Sequence, residues 1–213
     1  RGVTLFRANV VQSGSLGPEL CRTDGTQAGT VLIKDIWPGF TGSNPDLSRA
    51  AAIGNDFFFA AINGSNTSQL WKTDTTLAGT VLAGAIPGGG SPQHLHANGS
   101  TLFFSGNDSS GQELWKLSGG TISLVRDIQS GSGSSFPDTF ASFGSGVVFV
   151  ANTAANGREP WISNGTAGGT NLLRDIAAGN VNFIPFFQAA PPPEVRSLAL
   201  LSLSPTQSKT VAF

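Results

Sequence analysis

Charge is scarce in this 213-residue chain: Asp, Glu, Lys and Arg make up 12% of it, where a globular domain usually carries about a quarter. The two signs nearly cancel, leaving a net charge of −1. A basic stripe able to hold nucleic acid or an anionic membrane surface is therefore missing, and neither partner is expected. Cys21 is the sole cysteine, which excludes an intramolecular disulfide and CxxC metal chemistry. Histidine is limited to His94 and His96, so a catalytic serine or cysteine has almost no choice of base. No apolar run approaches 18 residues, and membrane insertion is not expected. Arg1 opens the chain without a charged-then-apolar leader, as in a processed or trimmed polypeptide, which leaves export undecided. Gly, Ser, Thr and Asn fill the space that charge leaves, and that composition suits turn-rich β structure.

One phrase returns four times: "GPELCRTDGTQAGT", "SQLWKTDTTLAGT", "QELWKLSGGT" and "GREPWISNGTAGGT". Its aromatic position is held by Cys21, Trp71, Trp115 and Trp161, at intervals of 50, 44 and 46 residues. A Gly-Thr pair follows at Gly29-Thr30, Gly79-Thr80, Gly120-Thr121 and Gly169-Thr170. A basic-Asp-Ile triplet comes next at Lys34-Asp35-Ile36, Arg126-Asp127-Ile128 and Arg174-Asp175-Ile176; the second unit reads Gly84-Ala85-Ile86 instead. A period in the mid-forties marks stacked supersecondary units.

Each unit holds four strand-like runs separated by Gly, Asn, Asp and Ser, and no window has helical apolar spacing. The second runs, "TLFF", "DFFFA" and "GVVFV", are apolar at consecutive positions, which requires cover on both faces of the strand. Sheets packed face to face around an axis supply that cover. The expected fold is all-β: a four-bladed β-propeller of four-stranded antiparallel blades, at about 1–36 plus 182–190, 45–86, 92–128 and 137–176. The first unit lacks its inner strand, and "NFIPFFQAA" (Asn182 to Ala190) is a spare one. Joining it to the first blade hides two sheet edges and closes the ring. Residues 191–213 follow a triple proline, either as an edge strand, as a segment docked on a neighbouring subunit, or lying along one blade.

These phrases, each running into "TVLIKDI"-like text, resemble the ELWxxDGT repeat of bacterial, mostly secreted or surface-associated proteins, over residues 1 to about 190. The resemblance implies a propeller-like array and an extracytoplasmic setting, and it implies no reaction. Asp-Gly-Thr is complete only at Asp24-Gly25-Thr26, decaying to Asp74-Thr75-Thr76, Ser118-Gly119-Gly120 and Asn164-Gly165-Thr166. A metal site that needs this Asp in every copy is not expected.

The repeated residues read first as architecture. The tryptophans wedge neighbouring blades apart, and Cys21 replaces one as a small buried hydrophobe. Asp/Asn-Gly reverses the chain, and Thr30, Thr80, Thr121 and Thr170 restart the outer strand. Asp35, Asp127 and Asp175 satisfy turn amides and the neighbouring cation, with calcium as the alternative and otherwise no cofactor. His94 and His96, two apart on an inner strand, point the same way, opposite Leu95. They are channel-lining or solvated side chains, or else two ligands of a metal that needs a third from Asp138 or Asp46.

Binding residues belong on the long connections between blades and between second and third strands. Trp37, Phe40, Asn66, Asn107 and Phe136 are the ligand-binding candidates there, with packing under their own loops as the alternative for the three aromatics. Five Asn-x-Ser/Thr sequons, at Asn63, Asn66, Asn98, Asn107 and Asn164, matter only in a host that glycosylates. The expected function is a non-catalytic extracytoplasmic binding or scaffolding module acting on a protein partner. The alternatives are a lectin-like propeller on a surface glycan, and a metal-dependent hydrolase using the central channel.

Overall fold

The computed structural model describes residues 2–11 and 15–179, and the regular structure among them is all strand. Four antiparallel sheets follow one another along the chain. The first holds β1 (Thr4–Val11), β2 (Ser15–Thr23) and β3 (Val31–Lys34). The second holds β4 (Asp46–Ile53), β5 (Asp56–Ile62), β6 (Ser68–Thr73) and β7 (Val81–Gly84). The third runs β8 (Gly90–Asn98), β9 (Thr101–Asp108), β10 (Gly111–Ser118) and β11 (Thr121–Arg126). The fourth is β12 (Asp138–Phe143), β13 (Gly146–Thr153), β14 (Gly157–Ser163) and β15 (Asn171–Leu172). The inner strands β4 and β8 lie side by side, as do β8 and β12. Among the described residues the first sheet has no inner strand, and Asn182–Ala190 and 191–213 fall outside them.

Successive sheets are joined by apolar side chains from both. Leu20, Ile33 and Ile36 of the first unit pack on Phe59 and Ala61 of the second. Phe58, Leu70 and Ile86 meet Leu102, Phe104, Trp115 and Leu117 of the third. Phe103, Leu114, Val125 and Ile128 meet Val147, Phe149 and Trp161 of the fourth. Adjacent phenylalanines on β5 and β9 thus point to opposite neighbours, which is why those strands are apolar without alternation. Each buried ring contributes about 1.5–3 kcal/mol relative to exposure. Trp115 (3% exposed) and Trp161 (6%) sit in these junctions, while Trp71 is half-buried with Lys34 Nζ 5.8 Å from its ring centre. Cys21 is buried, and its thiol pKa is raised by burial and then by the Glu19 charge, so it is an unreactive apolar filler.

The third-to-fourth-strand turn explains the rest of the repeated phrase. Asp24 Oδ1 accepts the Thr26 amide (3.0 Å) and hydroxyl (2.7 Å), and Thr26 Oγ1 accepts the Gly29 amide (2.9 Å). Thr23 and Thr30 close the base with a 2.7 Å hydroxyl pair. A Cβ on Gly29 would lie 2.0 Å from Asp24 Oδ1, so only glycine fits. Asp74, Thr76 and Gly79 repeat this arrangement, as do Asn164, Thr166 and Gly169. The third sheet departs from it. Leu117 pairs with Ile122, and Ser118 with Thr121, around a two-residue Gly119-Gly120 turn (φ 57 and 79). Ile122, rather than the expected Thr121, therefore stands in register with Thr30, Thr80 and Thr170.

The cation of the basic-Asp-Ile triplet does not serve the adjoining aspartate. Lys34 Nζ donates to Thr80 O of the next sheet (2.8 Å), and Arg126 donates to Thr170 O. Asp127 Oδ2 accepts the Gly131 amide (3.2 Å), and Asp175 Oδ2 accepts Asn156 Nδ2 (3.0 Å).

Candidate functional site

Long connections leave the sheets at the end opposite these turns, and buried carboxylates hold their roots. Glu19, just before Leu20, is fully buried; it accepts the Ile36 amide (3.0 Å), the Ser43 amide (2.7 Å) and the Ser43 hydroxyl (2.6 Å). Glu113 accepts the amides of Ile128 (2.9 Å), Gln129 (3.3 Å) and Ser135 (2.9 Å) and the Ser135 hydroxyl (2.5 Å). Burial pushes the Glu113 carboxyl up, against the Ser135, Ile128 and Gln129 hydrogen bonds, which pull it down. Glu159 accepts Ile176 N (3.0 Å) and Ala177 N (2.9 Å). The second sheet uses a matched exception: Gln69 Nε2 donates to Gly89 O (3.2 Å), and Gly90 stands in the serine's place. Glu19 and Glu113 each tie a strand to both ends of the loop between sheets.

The clamped loops carry two of the expected aromatics into solvent. Phe40 is 82% exposed and Phe136 is 52% exposed. Phe136 sits at φ 48, just before Pro137, with its amide on Gln112 O (3.1 Å). Trp37 is half-buried instead, its indole 3.8 Å from where a Gly64 Cβ would be, so it packs under the neighbouring loop. Asn66 is exposed at φ 57 within the Asn63–Thr67 turn, and Asn107 is exposed near the end of β9. The five candidates share an end of the sheets, and of the three aromatics Phe40 and Phe136 are the ones presented.

The histidines occupy a separate place, on the inner strand β8. Arg49, His94, Leu95, His96, Thr139 and Phe140 line a cavity of about 210 Å³ between inner strands. Strict alternation fails here. The β8–β9 register shifts between Gln93 and His96, His94 is at φ 54, and Leu95 lines the cavity alongside both imidazoles. His96 Nε2 is 3.0 Å from Ser142 Oγ, and its ring stacks on Phe140 at 6.2 Å. Burial lowers both histidine pKa values, with Arg49 adding to the effect at His94 against Asp138, which favours the neutral imidazoles. Asp138 is not available as their third ligand, because Arg158 Nη2 holds its two oxygens at 2.5 and 2.7 Å. Asp46 Oδ1 accepts the Ser48 hydroxyl (2.6 Å). Among the described residues no three His, Cys, Asp or Glu side chains come together as a metal cage.

No family profile matches the chain, and no curated protein matches it in sequence. Its fold is similar to solved β-propeller proteins. A puromycin hydrolase S511A mutant complexed with PGG gives a TM-score of 0.55 at 12% identity, over 86% of this chain and 28% of that one. One of two prolyl endopeptidases studied for inter-domain dynamics gives 0.53 at 11% identity, over 73% of this chain and 22% of that one. This is an all-β, propeller-like chain. At this identity the likeness concerns the fold alone. The chain also spans far less than two thirds of either structure, so their activities do not pass to it. Among the described residues no helix is long and apolar enough to cross a membrane.

The propeller frame makes sense of residues that sequence reasoning missed. Glu19, Glu113 and Glu159 lie in strands, where an isolated charge reads as a solvated face. The available signal was their fixed place two residues before the blade-wedging position, with Gln69 in the same slot. Serine at Ser43 and Ser135, against Gly90 in the blade that has Gln69, was the second half of that signal.

Proposed function

We propose that this chain is a non-catalytic binding or scaffolding module of the ELWxxDGT repeat class, acting through protein–protein contacts in an extracellular or cell-surface assembly. The observation that carries this reading is the pair of exposed aromatics, Phe40 and Phe136, on loops whose roots are locked by buried Glu19 and Glu113. Loops fixed in advance lose little entropy on binding, and exposed aromatics are the usual anchors of protein interfaces. The test compares the chain with a Phe40→Ala/Phe136→Ala variant for cross-linking to purified envelope proteins of the host, and on a glycan array. Loss of at least tenfold in protein capture at unchanged thermal stability is the expected result. Equal capture by the variant overturns the reading, and capture that moves to glycans replaces it with the lectin-like one.

We further propose that four blades close into one ring, with Asn182–Ala190 added beside β1. Two features support this. The first sheet alone lacks an inner strand, so β1 is its edge. Arg174 also stands where Lys34 and Arg126 stand, while the Thr23–Thr30 turn, among the described residues, receives no cation from another blade.

A further inference from the structure

The second and third blades meet differently from the other neighbours. At the other two junctions among the described residues, the six-residue turn of the later blade lies on the earlier blade and is pinned by cations. Arg22 donates to Thr75 O (3.1 Å) at one junction, and Lys116 to Gly165 O (2.8 Å) at another. A Cβ on Gly165 would come within 3.4 Å of the Phe103 ring and 3.8 Å of Lys116 Cδ, so that turn rides over both side chains.

At the second–third junction the later turn is two residues shorter: four residues separate Leu117 from Ile122, whereas six separate Thr73 from Thr80. Ile122 Cδ1 takes the room of the missing cation, 2.7 Å from where a Gly84 Cβ would be. A cleft of about 230 Å³ remains, with Phe58 and Leu117 among its apolar walls, Lys72 and Asp56 on one side, and Gly119-Gly120 at the rim. Phe58 pairs across from Lys72 as Phe103 does from Lys116. The cleft is thus the seat of a turn that the third blade does not supply. Lys72, lacking a carbonyl above it, contacts Asp56 Oδ2 at 2.7 Å and keeps two ammonium protons for other acceptors. The volume lies below the roughly 300 Å³ at which pockets begin to enclose drug-sized ligands. It suits the tip of a loop anchored by a larger body, and the side-chain-free rim lets another backbone approach.

We propose that this cleft is a docking site for a glycine-bearing turn of a partner protein, seated over Phe58 as Gly165 is seated over Phe103, with a main-chain carbonyl on Lys72. It lies at the hairpin end, away from Phe40 and Phe136, and does not depend on the role of those loops. The probe is a backbone-cyclised peptide bearing Thr-Asp-Gly-Thr-Gln-Ala-Gly-Thr, the sequence of residues 23–30, titrated into the full chain and followed by amide chemical shifts. Saturable binding below millimolar concentration is expected, with shifts at Ser100, Gly119 and Gly120. Lys72→Gln is expected to weaken it at least fivefold, and Phe40→Ala to leave it unchanged. A graft that replaces Leu117–Ile122 by the sequence of Thr73–Thr80 fills the seat from within; it is expected to melt at least as high as the parent and to bind no peptide. Absence of saturable binding to the parent, equal binding by Lys72→Gln, or binding by a folded graft each overturns the proposal.

Discussion

Asp24 accepts the amide and hydroxyl of Thr26, Asp74 those of Thr76, and Asn164 those of Thr166, so carboxylate and amide serve the same turn. The difference appears in acid. The Thr26 and Thr76 hydroxyls, followed by the amides, hold both aspartates below the ordinary carboxylate range. A lowered folded-state pKa gives stability that is complete above the unfolded value, about 3.9, and lost as pH falls through the folded one. Asp24→Asn and Asp74→Asn are therefore expected to change little at neutral pH and to flatten the acid loss below about pH 4, measured by urea denaturation across pH. Thr75 poses a different residue-scale problem. It occupies the place of Gly25 (φ 86) and Gly165 (φ 84) at φ 76, a left-handed conformation that a β-branched side chain adopts under strain. Thr75→Gly is expected to stabilise the chain by about 1 kcal/mol in the same assay. The turn was legible as a turn from its Gly and Asp, but the reason for Gly29, Gly79 and Gly169 was not, because it depends on where a carboxylate folds back.

At the scale of elements the buried glutamates make loops into rigid parts. Replacing Glu113 by Gln leaves amide hydrogens facing donors that a carboxylate had accepted, and a loss of about 2 kcal/mol is expected. Adding Ser135→Gly is expected to recover part of it, because Gln69 stands beside Gly90 in the second sheet and donates to Gly89 O. A double-mutant cycle measures the coupling. The pH dependence of this group runs opposite to that of Asp24. Because burial raises the folded-state pKa, Glu113 favours the folded state most in acid, and that contribution falls as pH rises from about 4.3 to the raised value. Glu113→Gln removes this slope. Strands and their doubly covered faces were readable from apolar runs such as "DFFFA". The inner strands were readable as strands but not in their facing, since the six residues from Asp46 to Ala51 span only the three from Ala60 to Phe58 on their partner. Period-two reasoning fails across such bulges, and His94 at φ 54 lies within one.

For the whole molecule, the proposed ring places a seam between the fourth blade and the first. If Arg174 pins the Thr23–Thr30 turn as Lys34 pins Thr80, Arg174→Ala is expected to destabilise the chain by about 1 kcal/mol. Arg49→Ala, another exposed arginine, serves as the control and is expected to change little. Removal of residues 180–213 is expected to speed amide exchange in β1 ahead of β5, β9 and β13, as the unpaired edge of a sheet opens first. Uniform exchange in all four strands would count against closure by Asn182–Ala190.

The order of residues alone determined that this chain is a β repeat, because a wedge, a turn and a doubly covered strand recur at fixed intervals and each has one economical structural use. Tertiary packing decided which polar side chains are structural and which face outward. Glu113 and Arg49 are both isolated charges in the sequence; one is sealed behind a loop and the other lines the cavity between inner strands, a distinction set by neighbours fifteen or more residues away. The empty seat beside Lys72 was likewise decided there, since a turn two residues shorter leaves a void only when a neighbouring blade is built to receive a longer one.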